Sequence, residues 1–338
     1  MTKLLVVVSA TGRQGLAIIK YFQEHVPSYK LRGTTRNTNT EAAIALVKSG
    51  VEIVPADTND FESLKAAFKG ASAIFAYTTF SGIMLTPEIM GRVVKGELPP
   101  PVGQYAYDIE VQQGKNMADA AATVPELERL VWSSLSGVTK WSKGKYTQAF
   151  HFDTKEAVRV YMNSLEPLKG KVSCLQLGMF TENLITMPER FGLTRQSDGS
   201  LRWAMQVSGD EPVPIIDIDR DTGAFVHALL AAPGGVQVTG ASEYLPFKTY
   251  LQLLCDHLGT SGTFETIPFD GTVKDDPTGW KLELVQVYAF IKEFGYNGGD
   301  PEVLTADDLE KRGFAVPRSK VVDHIKRSDW SHLVAASA

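Results

Sequence analysis

Cysteine is scarce in this chain of 338 residues: Cys174 and Cys255 stand alone, too few for a disulfide framework and too far apart for a cysteine-rich zinc site. A reducing compartment is therefore expected, cytoplasmic and also nuclear. No apolar run approaches the roughly 20 residues of a membrane helix, and no membrane association is expected. The opening Leu4-Leu5-Val6-Val7-Val8 is too short for a signal peptide and passes straight into a glycine-containing turn, so it reads as a buried strand. Neither sign of charge dominates: 34 Lys and Arg against 39 Asp and Glu leave −5, which gives no electrostatic footprint for direct nucleic-acid binding. His227, His257 and His324 stand at no metal-ligand spacing, and no metal is expected. Ser-His-Asp groupings, cysteine nucleophile signatures, internal repeats and low-complexity segments are also missing. What is present, 43% hydrophobic and 22% charged residues, is an ordinary globular composition with length for a large α/β domain and an appended lobe.

Leu4 to Val8 reads as a strand, followed by a glycine turn and a helix from Gly15 to about His25. Lys30 to Thr35, Val51 to Val54 and Ala73 to Tyr77 are further strands, separated by helical Glu41 to Lys48 and Phe61 to Phe68. A helix from about Tyr107 to Ala122, a strand at Arg129 to Ser133, a helix from about Phe152 to Leu165 and a strand at Val172 to Leu177 continue the alternation. Strands alternating with helices imply an α/β Rossmann fold, a doubly wound parallel sheet with right-handed crossovers and helices on both faces. Between Ser81 and Gly103 the pattern breaks, and Glu97-Leu98-Pro99-Pro100-Pro101 predicts a long extended loop bordering a site. Past residue 178 the strict alternation ends, with short strands at Leu193 to Gln196 and Leu201 to Val207 and helices at Asp221 to Leu230, Phe247 to His257, Thr278 to Phe294 and Ala306 to Arg312. The expected division is a dinucleotide-binding domain over 1–177, rejoined by about 212–240, and a smaller C-terminal α+β lobe from 178–211 and 241–338.

A dinucleotide site needs small residues where the chain leaves the first strand, because backbone N–H groups at the helix N-terminus must approach the pyrophosphate. Ser9, Gly12 and Gly15 have that spacing, with Thr11, Arg13 and Gln14 between them. Ser9 is small but lacks glycine's freedom at positive φ. The residue after the second strand decides the cofactor: a carboxylate there takes a ribose 2′-hydroxyl, whereas an arginine pairs with a 2′-phosphate. Arg36 occupies that position, and Arg13 offers a second cation, so NADP(H) is the expected cofactor. Asp57 and Thr58 close the third strand toward the adenine, and Thr78 and Thr79 follow the fourth toward the crevice.

These residues resemble the NmrA-like family of the short-chain dehydrogenase superfamily, which has relatives among isoflavone-reductase-like enzymes. The resemblance covers most of the chain and rests on Ala10-Thr11-Gly12-Arg13-Gln14-Gly15, His151-Phe152-Asp153-x-Lys155, Gly178-Met179-Phe180-Thr181-Glu182-Asn183 and Ile215 to Gly223. It implies an NADP-binding Rossmann domain and a smaller lobe, with the nicotinamide end held in the cleft between them. It also implies one of two functional classes: reductases, or redox-sensing regulators that bind the dinucleotide without turning it over. Two departures stand out. Ser9 replaces the usual first glycine, and His151 occupies the place of the tyrosine in the superfamily's Tyr-x-x-x-Lys pair.

Hydride transfer leaves negative charge on the acceptor, so a reductase needs an electrophile or proton donor facing the nicotinamide. Lys155 is the first candidate, with His151 four residues earlier on the same helical face. Ser134, with Ser133, ends the fifth strand where a substrate-orienting hydroxyl belongs, and Tyr146 is a replacement acid. Met179 and Phe180 should pack on the nicotinamide, and Asn183 should begin the next helix or hold its turn. Trp203, Phe264, Trp280, Tyr288 and Phe290 are core aromatics or walls of an apolar substrate pocket. The expected function is NADPH-dependent reduction of a small carbonyl or conjugated organic compound; the alternative is a non-catalytic NADP(H) sensor acting through a protein partner.

Overall fold

A computed structural model of the chain describes residues 3–98, 101–268 and 279–334. Strands and helices alternate through β1 (Lys3–Val7), β2 (Tyr29–Thr35), β3 (Glu52–Pro55), β4 (Ala73–Ala76), β5 (Arg129–Ser134) and β6 (Val172–Leu177). There follow β7 (Met179–Phe180), β8 (Leu193–Arg195), β9 (Leu201–Met205), β10 (Pro212–Ile216), β11 (Gln237–Gly240), β12 (Glu243–Pro246), β13 (Gly262–Thr266) and β14 (Val303–Leu304). Eight of these form one parallel sheet in the order β14-β11-β6-β5-β4-β1-β2-β3. The chain steps outward from β1 to β3, then returns to build β4 to β6 on the other side. That reversal opens a crevice beyond the carboxyl ends of β1 and β4, the general place for ligands in such sheets.

Period-two alternation along β1 feeds both faces of the sheet. Leu5 and Val7 pack with Ile18, Ile19 and Phe22 of the helix Arg13–His25 and with Phe225 and Leu229 of the helix Ile218–Ala231. Val6 and Val8 pack with Leu64, Phe68, Met117 and Val158 on the opposite face. Each such buried side chain contributes about 1.5–3 kcal/mol. On that second face the helices Val102–Ala122 and Phe150–Ser164 approach closely because Gly114 has no side chain: a Cβ there would lie 2.2 Å from Val158 Cγ2. Their close packing later positions a buried ion pair.

The expected loop from Ser81 to Gly103 is mostly helical, with helices Phe80–Met84 and Pro87–Val94 and the long helix beginning at Val102 rather than Tyr107. Thr86-Pro87 is a helix start, not a chain break: Thr86 Oγ1 accepts from the Ile89 N–H at 3.4 Å and Pro87 opens the first turn. Phe80, Ile83, Met84 and Ile89 then bury against Val102, Ala106 and Phe150. Pro99 and Pro100 of the proline run, and Thr278 at the expected start of a late helix, lie outside the described residues.

Two three-stranded sheets, β12-β10-β7 and β13-β9-β8, stand beside the main one. Trp203, Tyr250, Leu254 and Trp330 form their core. Within 212–240, β10 belongs to the small sheet while β11 joins the main sheet, and β14 extends the main sheet from within 241–338. Among the described residues no helix is long and apolar enough to cross a membrane.

Candidate active site

The turn after β1 is tighter than its sequence indicates. Ser9 sits at φ +51, in the region expected of glycine, and tertiary bonds hold it there. Its N–H donates to Thr34 Oγ1 at 3.1 Å, and its carbonyl accepts from the Gly12 N–H at 2.9 Å and the Tyr77 hydroxyl at 3.1 Å. A Cβ at Gly12 would meet the Tyr77 hydroxyl at 2.1 Å, and one at Gly15 would lie 2.7 Å from Ala10 Cα. Gly12 caps the helix Arg13–His25 without a side-chain acceptor, so first-turn N–H groups face the crevice with the helix dipole's positive end. Gln14 Oε1, an acceptor, is buried at the crevice without a hydrogen-bond partner among the described residues. A pyrophosphate-bearing dinucleotide fits this cradle.

Just past the end of β2, Arg36 is exposed and makes no hydrogen bond or ion pair with any described residue, which leaves its guanidinium available. Arg13 lies 3.9 Å from Glu182. Asp57 is occupied by its own turn, accepting from the Asn59 N–H at 2.9 Å and Nδ2 at 3.0 Å, and the Thr58 carbonyl accepts from Asn116.

Lys155 is buried and saturated. Its Nζ donates to the Thr78 carbonyl, to Thr78 Oγ1 and to Glu110 Oε1, the last at 2.8 Å, and lies 5.5 Å from the Trp132 ring. Burial lowers its pKa, while the Glu110 carboxylate pulls the other way. Glu110 is fully buried, and its other oxygen accepts from Thr154 Oγ1. All three ammonium protons are thus committed to protein oxygens.

His151, one turn earlier, is arranged differently. Its backbone N–H donates to Glu283 Oε1 at 2.6 Å, and its Nδ1 lies 2.8 Å from the same oxygen. With an acceptor there, Nδ1 carries the hydrogen and Nε2 is left for the cleft. Glu283 is buried on the helix Trp280–Phe294. The His151 ring also lies 6.0 Å from Trp280 and 6.3 Å from Phe80.

His151, Lys155 and Gln14 border a cavity of about 350 Å3 at the carboxyl edge of the sheet. Gln14, Thr78, Thr79, Ser133, Ser134, His151, Lys155, Met179, Phe180 and Asn183 line it, whereas Thr11, Gly12, Arg13, Gly15, Arg36, Asp57 and Thr58 do not. Arg190, Trp280 and Tyr288 close its other side.

The family model described as the NmrA-like family matches residues 1–333. The chain belongs to the NmrA-like family. Among curated relatives, the NmrA-like family domain-containing oxidoreductase ptmS of Penicillium ochrochloron is 28% identical over 274 residues, covering 78% of this chain and 76% of its own. The like-named cpsB of Aspergillus campestris is 26% identical over 339 residues, covering 95% and 92%. Among solved structures, NmrA, a negative transcriptional regulator in complex with NADP, superposes with a TM-score of 0.69 at 18% identity, covering 97% of this chain and 95% of that one. Citrobacter sp. triphenylmethane reductase complexed with NADP(H) does so at 0.64 and 16%, covering 96% and 99%.

In this NmrA-like chain Tyr146 does not line the cavity; its hydroxyl donates to Glu293 at 3.0 Å, and burial raises its pKa. Trp203 and Phe290 are core, whereas Trp280 and Tyr288 are walls. Three polar groups escaped the sequence reading: Glu110, Glu283 and Arg190. A signal existed for two of them. Glu110 interrupts the buried stripe Gly103, Ala106, Gly114, Met117, and Glu283 interrupts the stripe Trp280, Leu284, Val287, Tyr288, Ile291. A lone carboxylate on an apolar helix face needs a partner. His324, expected to be ordinary, lies with Glu182 and Asp217 in a buried cluster whose ligand-type atoms fall within 4.8 Å. Arginine supplies the positive charge there, since Arg327 donates to Asp217 and to His324 Nδ1.

Proposed function

We propose that this NmrA-like protein is an NADPH-dependent oxidoreductase that reduces a small carbonyl or conjugated organic compound. The observation that carries the reading is the His151–Glu283 pair at the cavity wall, with Nδ1 2.8 Å from the carboxylate and Nε2 uncommitted. The curated relatives' designation as oxidoreductases and the dinucleotides held by proteins of the same fold support it. A bound reduced dinucleotide supplies the hydride. The first-turn N–H groups would hold its pyrophosphate end, Gln14 Oε1 would accept from one of its hydroxyl or amide donors, and Arg36 would meet a 2′-phosphate. Lys155 fixes Thr78 and the floor of the crevice through its three bonds, a positioning role. His151 first takes up a second proton at Nε2 from solvent and then donates it to the substrate atom that gains negative charge, while Glu283 holds the Nδ1–H side of the ring and offsets the imidazolium charge. Aromatic walls exclude water from that atom. In this reading the residues to 177 with the helix Ile218–Ala231 bind the dinucleotide, and Arg190, Phe247 and the helix Trp280–Phe294 bind the substrate.

A second reading, a dinucleotide sensor, draws support from Lys155, whose protons are all taken by protein oxygens. Both are tested by following NADPH absorbance with the purified protein and a panel of aldehydes, ketones and enones. Stoichiometric oxidation is expected for at least one class. NADPH binding without any oxidation across the panel would sink the enzyme reading in favour of the sensor.

A further inference from the structure

Arg190 is a charged group of the cavity that the hydride-transfer reading places beside the substrate without saying what it recognises. It lies in the short 3-10 turn Glu189–Phe191, and its guanidinium carbon sits 4.2 Å from the centre of the Trp280 ring system. Among the described residues its buried Nη2 has no hydrogen-bond partner, and Nη1 reaches only the weak acceptor Met187 Sδ at 3.9 Å. The carboxylate whose charge acts on it, Glu283, directs Oε1 to the backbone N–H and Nδ1 of His151. The other cation of the cavity, Lys155, is neutralised by Glu110. Arg190 therefore has forked donors facing an apolar space, and a buried N–H without an acceptor is costly until an oxygen arrives.

The surroundings define what carries that oxygen. Trp280 is stacked with Phe80 at 5.8 Å and lies 6.0 Å from His151. The same indole thus backs the guanidinium and neighbours the imidazole. A flat molecule of one or two rings, resting among aromatic walls, can place an oxygen on Arg190 while its reacting atom meets His151.

We propose that Arg190 anchors the substrate, selecting a planar conjugated ligand that bears an acceptor oxygen, a carboxylate or a carbonyl. This deepens the oxidoreductase reading and rests on it for taking the cavity as the substrate site.

Calorimetric titration of the NADP+-saturated full chain tests it with three probes of one skeleton: trans-cinnamate, trans-cinnamaldehyde and β-methylstyrene, which has no oxygen. Arg190→Gln should weaken the two oxygen-bearing ligands by about tenfold or more while changing the hydrocarbon by less than about twofold. Arg190→Lys, which keeps the charge and loses the planar fork, should fall between and carries the test if the glutamine variant does not fold. Equal loss for all three probes, unchanged binding of the oxygen-bearing pair, or binding of none of them at millimolar concentration overturns the proposal. Binding needs no turnover, so the two readings separate. Selective loss in a protein that never oxidises NADPH removes the enzyme and leaves the anchor, whereas turnover indifferent to Arg190 does the reverse.

Discussion

Lys155 and His151 stand one turn apart on the helix Phe150–Ser164, and each faces a buried glutamate, yet the two pairs behave as opposites. Lys155 spends every donor on Glu110 and Thr78, so the pair is closed. His151 spends one ring nitrogen on Glu283 and keeps the other, so the pair is open. The residue that looks more catalytic in the sequence is the one the fold has used up. Burial explains why: an ammonium taken out of water must be compensated on all sides, whereas a neutral imidazole needs only one partner.

Breaking the closed pair should have the largest effect. Glu110→Leu leaves the Lys155 ammonium buried without its counter-charge, and stability to urea should fall by about 3–5 kcal/mol. The double variant Glu110→Leu, Lys155→Met should recover most of that loss, because an apolar pair of similar size has no charge to compensate. If the single variant unfolds at the wild-type urea midpoint, the pair does not hold the two helices as described.

Breaking the open pair should cost the fold less than breaking the closed one, because the His151 backbone N–H still reaches Glu283, and should remove activity. His151→Ala should lower kcat about 10²–10³-fold with the NADPH dissociation constant unchanged. Glu283→Gln, which keeps an acceptor for Nδ1 and drops the charge, should cost about tenfold in kcat at constant KM. A fall in KM and kcat together, or retention of full activity by His151→Ala, would assign the proton to another group.

What the sequence made legible follows the same division. Local signals were readable: the apolar run of β1, the βαβ alternation, the glycine turn, and His151 and Lys155 at helical spacing. Each is set by neighbours within a few residues. Partners were not readable, because Glu110 and Glu283 arrive from helices 45 and 132 positions away and only the closed fold chooses which cation each meets. Ser9 misled for a related reason. Its side chain disfavours φ +51, but bonds from Gly12 and Tyr77 to its carbonyl and from its own N–H to Thr34 outweigh that local preference. The segment from Ser81 to Gly103 misled because its proline run alone predicts a loop, whereas Thr86 and Pro87, earlier in it, are a local helix start.

A third carboxylate sharpens the contrast, since Glu182 is buried without a close cation. Arg13 is 3.9 Å away and Oε1 has no partner among the described residues, and burial, aided by Asp219 and Asp217, pushes its pKa up to about 7 from 4.5. The folded pKa exceeds the unfolded one, so between these values the folded chain holds a proton that the unfolded chain has released. Stability from this group is therefore intact below pH 4.5 and is lost as pH rises through about 7, by up to about 3 kcal/mol. Glu182→Gln cannot ionise. Its stability should match the wild type at low pH and exceed it above pH 7, as followed by urea unfolding at a series of pH values. Parallel curves for the two proteins would mean that Glu182 is compensated after all.

The smallest effect belongs to the cation left most open, Arg36, which no described residue engages. A guanidinium exposed at the end of β2 adds nothing to the fold, so Arg36→Ala should leave thermal unfolding of the free protein unchanged. Its worth appears only when an anion arrives. NADPH should bind about tenfold more weakly to the variant, near 1.4 kcal/mol, while NADH binding stays the same, because only the 2′-phosphate distinguishes them. Being exposed, the contact is screened by salt, and the tenfold difference should shrink as ionic strength rises toward about 1 M. Equal weakening of both dinucleotides would remove Arg36 from phosphate recognition and leave cofactor choice to Arg13, whose Glu182 neighbour is itself part-protonated near neutral pH.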